Sequence, residues 1–308
     1  MSELAAELRR TLGPCVEADA QIGERTTYRV GGRALAMVTI DDTRQLDLLF
    51  TALDPATTPV LALGRGSNLL IADAGFDGVV VTLGSAFSEV HIDGAHVFAG
   101  AAAKLPVVAR SSVQAGLTGF EWAVGVPGSI GGAVRMNAGG HGSEMADVLI
   151  DVEIADLAHG QRRMLSVDDL ALGYRQSSLG RSDLVLGAHL QLKPGDPSAG
   201  KAAMAEIVQW RREHQPGGQN AGSVFTNPTG DSAGRLIEAA GAKGLRIASA
   251  QVSTKHANFI QADEDGCAAD VLAVMKAVQD RVAQEFGVRL HPETHLVGFE
   301  PDQVQSLL

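Results

Sequence analysis

The chain has 308 residues, of which 45% are hydrophobic, and a formal net charge of −11. Its length favours two or three packed subdomains over one small core, and its hydrophobic content excludes a disordered chain. The negative charge, without a dense cluster of Lys or Arg, argues against a nucleic-acid partner.

Cysteine content and hydropathy bear on the compartment. The two cysteines, Cys15 and Cys267, lack CxxC spacing and therefore predict neither a zinc site nor a disulfide framework. The first residues have no apolar core typical of a signal peptide, and no apolar run is long enough to cross a membrane. We therefore expect a cytoplasmic protein without a membrane partner.

Alternating short strands and helices, separated by turn glycines, predict an α+β fold. After a first helix at the N-terminus, the predicted helices cover residues 43–51, 105–115, 202–213, 233–240 and 268–286. The predicted strands cover residues 34–40, 60–63, 79–82, 89–92, 96–99, 148–155, 162–166, 183–192 and 288–290. The polar Pro- and Gly-rich stretch at residues 193–200 predicts the boundary of a C-terminal domain.

The last long predicted helix has an apolar stripe with helical spacing, and Gly287 follows it as a natural C-terminal stop. We expect the stripe to lie in the core rather than in a functional site. Its members are Val271, Met275, Val278, Val282 and Phe286.

Eight glycines lie within the 24 residues 119–142, mixed with apolar residues such as Trp122 and Ile130. Glycine permits positive φ and the close approach of another group to the backbone. The segment predicts either a tight loop between strands or, as we favour, a cradle whose N–H groups hold a nucleotide cofactor.

A second glycine loop, LGRGSNLL at residues 63–70, follows a predicted strand. It matches neither GxGxxG, because Leu69 replaces the third glycine, nor a P-loop. A Rossmann dehydrogenase and an NTPase are therefore disfavoured, while two separate glycine loops suit the two ends of one long cofactor.

Three polar residues are candidates for chemistry. Arg175, between two predicted strands, is either a bidentate carboxylate clamp or one half of a surface ion pair. Ser223, after a glycine turn, either donates a proton or caps a turn. Glu293 follows the predicted strand at residues 288–290.

Other polar clusters are less specific. His291 and His295 stand four residues apart, but Pro292 occupies the place of the glutamate in a zinc-protease motif, so we expect no metal. Lys255 and Asn258 are candidates to contact a nucleotide. His256, between them, is equally interpreted as a structural histidine.

Eight motifs between residues 26 and 299 carry a resemblance that covers nearly the whole chain. In order they are TTYRVGG, LGRGSNLL, GVPGSIGGAVRMNAGGHG, GYRQS, AGSVFTNP, AGRLIEAAGAKG, VSTKHANFI and LHPET. Each motif alone is weak, but their combination resembles the UDP-N-acetylenolpyruvoylglucosamine reductases, flavoenzymes that complete UDP-N-acetylmuramate for bacterial peptidoglycan.

The resemblance implies a two-subdomain FAD-binding module of the vanillyl-alcohol-oxidase type at residues 1–85 and 86–195. A C-terminal α+β domain at residues 196–308 is implied to bind the UDP-sugar. Residues 64–68 contain no His or Cys, so FAD is expected to be held non-covalently. The implied FAD-lining residues are Tyr28, Arg29, Val30, Gly31, Gly64, Arg65, Gly66, Ser67, Asn68, Leu69, Gly100, Ala101, Gly125, Val126, Pro127, Gly128, Ser129, Gly131, Gly132, Ala133 and Asn137.

The family chemistry implies roles for the three polar residues. NADPH passes hydride to the flavin, which passes it to the methylene carbon of UDP-N-acetylglucosamine enolpyruvate. Arg175 and Glu293 match the positions that stabilise the enolate-like charge, and Ser223 matches the position that protonates the adjacent carbon. A cationic fork neutralises such charge best in a dry pocket.

The stretch between Arg175 and Ala221 contains no tyrosine, so the chain resembles the shorter of two family forms, without a tyrosine-bearing insertion. The resemblance implies substrate contacts by Arg211, Arg212, Asn227, Lys255 and Asn258, and the role of His214 stays open. A monomer is expected. What takes the place of the missing tyrosine is not evident in the sequence.

Two other classes are weighed against this enzyme. Another FAD-linked oxidoreductase of the same fold is disfavoured by AGSVFTNP and LHPET in the last domain. A non-catalytic UDP-sugar sensor is expected to have lost at least one of Arg175, Ser223 and Glu293, and all three are present.

Overall fold

The computed structural model describes residues 2–54 and 57–307, which form two compact units. Unit 1 contains the segments up to Asp19, Leu35–Arg65 and Gly78–Arg211. Unit 2 contains Ala20–Ala34, Gly66–Asp77 and the segment from Arg212 onward. The three domain bounds expected from the sequence remain a prediction, and their terminal residues 1 and 308 lie outside the described part.

The helices and strands alternate along the chain, as the sequence predicts. The helices are α1 (Glu3–Leu12), α2 (Thr43–Ala52), α3 (Leu105–Gln114), α4 (Ile130–Arg135), α5 (Pro197–His214), α6 (Ala233–Ala239), α7 (Ala268–Phe286) and α8 (Pro301–Val304). The strands are β1 (Val16–Gln21), β2 (Arg33–Ile40), β3 (Val60–Ala62), β4 (Leu69–Ile71), β5 (Phe76–Leu83), β6 (Val90–Asp93), β7 (His96–Gly100), β8 (Leu117–Thr118), β9 (Gly139–Gly140), β10 (Ser143–Glu144), β11 (Leu149–Asp156), β12 (Gln161–Ser166), β13 (Asp183–Gln191), β14 (Lys193–Pro194), β15 (Arg246–Ile247), β16 (Ala250–Val252), β17 (Ile260–Ala262) and β18 (His295–Val297).

One layer of unit 1 is a four-stranded sheet in the order β1-β2-β5-β3. Helices α1 and α2 each begin at a capping side chain, since Ser2 Oγ accepts from Ala5 N at 3.2 Å and Asp42 Oδ1 accepts from Gln45 N at 2.7 Å. Leucines of both helices share a buried cluster with valines of β2 and β5. Burial of this amphipathic face stabilises the layer.

The second layer of unit 1 is an antiparallel sheet in the order β12-β11-β13-β7-β6. Its side chains alternate between a buried face and an exposed face. Val97 and Ala99 share a core cluster with residues of α3 and α4, whereas Phe98 between them is 44% exposed. The glycine-rich segment therefore packs against this core through Phe120, Ile130 and Val134.

Unit 2 is built around α7, which shares a core cluster with the antiparallel sheet β15-β16-β17 and with α6. The predicted stripe is confirmed, because Val271, Met275, Val278 and Val282 are fully buried. Its last member, Phe286, is 37% exposed. Gly287 ends the helix in the left-handed conformation, with φ of 66°.

One prediction about local structure is wrong. Residues 288–290 do not form a strand, because the Leu290 carbonyl accepts from the Gln279 side chain at 2.7 Å instead of from a neighbouring strand. Residues 193–200 include a short strand and the start of a helix, and the domain boundary expected there stays a prediction. Lys193–Pro194 pairs with β8, and α5 begins at Pro197, where Asp196 accepts from Ser198 N and Ala199 N.

Candidate functional site

The two glycine loops predicted to hold a cofactor come together in unit 1. A Cβ added to Gly64 would lie 2.9 Å from Ser129 Oγ, and one added to Gly131 would lie 3.0 Å from the Ala101 Cβ. The backbone N–H of Gly131 donates to Ala101 O at 2.9 Å, which fixes the segment of Gly100 and Ala101 beside them. Only glycine leaves backbone accessible in so close an arrangement, as a nucleotide cradle requires.

Gly125 brings one predicted substrate residue against the same segment. A Cβ on Gly125 would lie 2.8 Å from Ile207 Cγ2 and 3.1 Å from Arg211 Cδ, both on α5. Burial lowers the pKa of the Arg211 guanidinium below its ordinary value. The last turns of α5 therefore pack directly on the glycine-rich segment.

Arg175 lies on a tight turn in which Gly173 and Gln176 form an antiparallel bridge. Its φ is 59°, its guanidinium lies 5.1 Å from the Tyr174 ring centroid, and its Nη2 donates to Gly139 O at 3.0 Å. The side chain is half-buried. The arginine is thus held by the end of the glycine-rich segment.

Two further bonds fasten the Arg175 turn to that segment. Asn137 Nδ2 donates to Gly173 O at 3.0 Å, and Ser177 Oγ donates to Arg135 O at 2.7 Å. Asn137 Oδ1 accepts from Ala146 N at 2.9 Å, and the residue is fully buried with φ of 38°. Because its side-chain amide bonds the backbone of two different segments, Asn137 positions the turn. Its expected contact with FAD remains a prediction.

In unit 2, the segment that contains Tyr28 is closely packed. The Tyr28 side chain is fully buried in the core cluster of this unit, and burial raises the pKa of its phenol. Gly31 has φ of 106°, and a Cβ there would lie 2.3 Å from Ile71 O. A Cβ on Gly66 would lie 2.6 Å from the Thr26 Cα. The segment is therefore tied to the second half of the LGRGSNLL loop.

Ser223 and Glu293 lie on neighbouring antiparallel segments of unit 2. Glu293 N donates to Val224 O at 2.7 Å, and Thr226 N donates to His291 O at 2.9 Å. Both candidate residues are half-buried. The segments of two residues that are 70 positions apart in the sequence thus lie side by side through backbone pairing, which sequence spacing does not reveal.

Asparagine side chains hold both of these segments. Asn68 Nδ2 donates to Glu293 O at 3.0 Å, and His295 N donates to Asn68 O at 3.0 Å. Asn258 pairs with Phe225 through both amide groups, at 3.0 and 2.8 Å, and is 4% exposed. These positioning roles were missed by sequence reasoning, which treated both residues only as ligand contacts.

The remaining predicted substrate residues lie at the surface of unit 2. Lys255 Nζ donates to Arg212 O, and both residues are exposed. Asn227 Oδ1 accepts from Ala233 N at 3.0 Å, at the start of α6. Their contacts with substrate stay predictions.

The other expected FAD-lining residues lie in the segments already described. Those of unit 2 adjoin Tyr28, Gly31 and Gly66, and those of unit 1 adjoin Gly64, Ala101 and Gly131. They are Arg29, Val30, Arg65, Ser67, Leu69, Gly100, Val126, Pro127, Gly128, Gly132 and Ala133.

Over residues 2–54 and 57–307, no group of three or more His, Cys, Asp or Glu side chains is arranged to hold a metal ion. Within the same part of the chain, every helix is too short or too polar to span a membrane.

Two family models match the chain. A model described as FAD binding domain matches residues 34–166, and a model described as UDP-N-acetylenolpyruvoylglucosamine reductase, C-terminal domain, matches residues 213–297. The first match includes Gly64, Ala101 and Gly131 and confirms FAD as the cofactor, while their contacts with FAD stay predictions. The second includes Ser223 and Glu293.

Solved structures confirm the predicted fold class. The crystal structure of UDP-N-acetylenolpyruvylglucosamine reductase from Thermus caldophilus has a TM-score of 0.80 and 35% identity, and the match covers 92% of this chain and 98% of that one. Wild-type Phl p 4.0202, a glucose dehydrogenase, has a TM-score of 0.51 at 13% identity and covers 94% of this chain and 64% of that one. The second likeness concerns the fold alone.

Sequence relatives agree with the structural match. The UDP-N-acetylenolpyruvoylglucosamine reductase of Paramagnetospirillum magneticum is 42% identical over 287 residues, which make up 92% of each chain. The family models match residues 34–166 and 213–297, and the relative matches nearly the whole chain. This chain therefore belongs to the UDP-N-acetylenolpyruvoylglucosamine reductase family.

Proposed function

We propose that this chain reduces the enolpyruvyl group of UDP-N-acetylglucosamine enolpyruvate to a lactyl ether, which yields UDP-N-acetylmuramate. The observation that carries the proposal is the pairing of the Ser223 and Glu293 segments through Val224, with Asn68 bonded to the Glu293 carbonyl. FAD, when bound, supplies two-electron hydride chemistry between NADPH and the substrate. The net reaction adds one hydride and one proton across the carbon–carbon double bond.

Arg175 binds the carboxylate of the substrate and stabilises the charge that develops on it. A guanidinium offers two parallel N–H donors to a carboxylate. The bond from Arg175 Nη2 to Gly139 O fixes the orientation of the group. A donor that is oriented in advance stabilises a developing charge without reorganisation cost during the reaction.

Ser223 donates a proton to the carbon next to the carboxylate after hydride has reached the methylene carbon. A serine hydroxyl is a weak acid, so the strong basicity of the enolate-like carbon drives the transfer. Glu293, on the adjoining segment, acts beside the same charge. The backbone bond between Glu293 N and Val224 O supports this assignment because it keeps the two segments in register.

FAD is held without a covalent bond by the loops around Gly64, Ala101, Ser129 and Gly131. Arg211 supports this assignment, since it packs on Gly125 of the same segment. Arg212, Asn227 and Lys255 contact the UDP-sugar. The protein acts in the cytoplasm as a monomer, in the synthesis of peptidoglycan that cell shape and division require.

Product analysis tests the proposed function. Purified FAD-loaded protein is incubated with NADPH and the enolpyruvyl sugar, and the nucleotide products are resolved by mass spectrometry. We expect a product heavier than the substrate by two hydrogen atoms, formed over many turnovers. If NADPH reduces the flavin but the sugar returns unchanged, the chain is another FAD-linked oxidoreductase of this fold.

A further inference from the structure

An unusual hairpin follows the glycine-rich segment in unit 1. Strands β9 and β10 pair Gly140 with Ser143 and Gly139 with Glu144, so the connecting loop has two residues, His141 and Gly142. Both have positive φ, 55° and 85°. Two-residue hairpins of this kind favour Asn or Gly at both places, and a histidine in the first is strained. An observed strain of this sort is a reason to look for a function.

The His141 ring has an aromatic partner on another element. Its centroid lies 5.3 Å from that of Trp210, and the rings are nearly perpendicular, at 85°. This edge-to-face arrangement is favoured by the charge distribution of aromatic rings. Trp210 lies in the last turns of α5 and is still 42% exposed. A large part of the indole surface therefore remains accessible.

The same hairpin carries the carbonyl that receives Arg175. The acceptor is Gly139 O, at 3.0 Å from Nη2, and His141 comes two residues later. Since consecutive Cα atoms are about 3.8 Å apart, the His141 Cα lies no more than about 7.6 Å from that of Gly139. On the α5 side, Arg211 follows Trp210 directly and packs on Gly125.

We propose that the His141–Trp210 pair is an aromatic wall that contacts the sugar ring of the substrate, and so contributes to its specificity. The inference rests on the proposed function, in which Arg175 holds the carboxylate. In that substrate one ether oxygen joins the sugar ring to the carbon that bears the carboxylate. The sugar therefore lies within a few bonds of Arg175, and the apolar C–H face of a pyranose packs well on an aromatic ring.

The test measures binding of UDP-N-acetylmuramate and of UDP alone to the FAD-loaded protein by isothermal titration calorimetry. For Trp210→Ala we expect the Kd of UDP-N-acetylmuramate to rise about tenfold, the equivalent of one good aromatic contact. Trp210→Phe keeps an aromatic ring, so its Kd for UDP-N-acetylmuramate is expected to rise less. The Kd of UDP alone stays unchanged in both, because UDP has no sugar of this kind at the wall.

His141→Gly separates binding from strain. Glycine relieves the positive φ, so the unfolding midpoint is expected to stay the same or rise. The Kd of UDP-N-acetylmuramate is nevertheless expected to rise several-fold. Phe98→Ala is the matched control, because Phe98 is 44% exposed in the same unit and stacks on His189 with centroids 4.2 Å apart. This control leaves both Kd values unchanged.

Several results would contradict the proposed contact between the aromatic wall and the sugar ring. Unchanged affinity for UDP-N-acetylmuramate in both Trp210→Ala and His141→Gly excludes the contact, and an equal loss for UDP alone moves it to the nucleotide. An equal loss in Phe98→Ala makes the effect non-specific. If wild-type protein turns over the enolpyruvyl sugar while the variants bind normally, only the wall fails. If wild-type protein neither binds nor turns it over, the proposed function fails and the wall with it.

Discussion

At the residue scale, the pairing of the Ser223 and Glu293 segments leads to the first prediction. Ser223→Ala is expected to slow reoxidation of the reduced enzyme by the enolpyruvyl sugar by about 10²–10⁴-fold, because the proton donor is lost. Reduction by NADPH is expected to proceed normally, since no proton from Ser223 enters it. Anaerobic stopped-flow absorbance separates the two half-reactions.

A second serine of unit 2 serves as the control. Ser232 Oγ accepts from Arg235 N at 3.3 Å and caps α6. Ser232→Ala is expected to cost about 1 kcal/mol of stability and to leave reoxidation unchanged. Equal slowing of both half-reactions in Ser223→Ala removes Ser223 from the proposed role.

The second prediction concerns the geometry of Arg175. Arg175→Lys keeps the charge but replaces a planar fork with a point donor, so we expect substrate-dependent reoxidation to fall at least about tenfold. Single-turnover kinetics measure this rate. The matched variant Arg110→Lys changes an exposed arginine that donates to Pro106 O at 3.2 Å within α3, and is expected to react at the normal rate. Near-normal turnover of Arg175→Lys contradicts the clamp.

The sequence motifs indicated which residues to consider for the candidate site, but they did not indicate the structural bonds that some of these side chains make. Asn68, Asn137 and Asn258 were all expected to contact ligands. Each bonds backbone groups of another segment, with Asn258 reaching Phe225 across 33 positions, and its contact with a ligand stays a prediction. An asparagine in a sequence motif does not reveal whether its side-chain amide bonds a ligand or the protein backbone, since it can donate and accept in either case. Only the fold identifies its partners.

At the element scale, two glycines with positive φ provide the third prediction. Gly287 ends α7 in the left-handed conformation, and a Cβ added there would have nothing within 4 Å. Gly287→Ala is therefore expected to lower the free energy of unfolding by about 1–2 kcal/mol. Gly31→Ala adds a contact of 2.3 Å with Ile71 O and is expected to cost more than about 3 kcal/mol. Urea denaturation gives both values, and equal costs contradict the close packing of Gly31.

The fourth prediction concerns the Asp156 carboxylate at the end of β11, which is 4% exposed. It accepts from His159 Nδ1 at 2.8 Å, from Arg163 Nη2 at 3.0 Å and from two backbone N–H groups at 3.1 Å. Burial acts to raise its pKa, but the bonds from His159 and the charges of His159 and Arg163 outweigh burial and hold the pKa below its ordinary value.

A lowered carboxyl pKa stabilises the fold above the unfolded value of about 3.9 and loses that effect as pH falls through the folded value. Asp156→Asn is therefore expected to cost about 1–3 kcal/mol at pH 7. The difference between the free energies of unfolding of wild type and Asp156→Asn is expected to become smaller below about pH 4. Urea denaturation at several pH values measures it, with exposed Asp93→Asn as control. A gap independent of pH contradicts the ionic role of Asp156.

Long, strongly patterned elements were predictable and short ones were not. Helix α7 coincides with its predicted bounds because its apolar stripe is long and Gly287 marks its end. Strands β9 and β10 have two residues each, which is too few for an alternating pattern of buried and exposed residues to be recognised in the sequence. The strand predicted at residues 288–290 is apolar at Val288 and Leu290, but a glutamine side chain takes the place of a partner strand.

At the scale of the whole molecule, the fold class followed from eight motifs in order, and the comparisons confirm it. The composition of unit 2 did not follow. Strand β4 pairs in parallel with β18, so that Leu69 lies beside His295. Local patterns carry no information about such a distant partner, so the sequence did not indicate that Ala20–Ala34 and Gly66–Asp77 group with the segment from Arg212 onward.

Anaerobic NADPH oxidation by FAD-loaded protein, measured with and without UDP-N-acetylglucosamine enolpyruvate, tests the proposed reductase activity. The account predicts one equivalent of NADPH oxidised per flavin without the sugar, and many turnovers once the sugar is added. NADPH oxidation that stops after one equivalent despite the sugar contradicts the proposed function. It leaves an FAD protein of this family whose substrate is a different one.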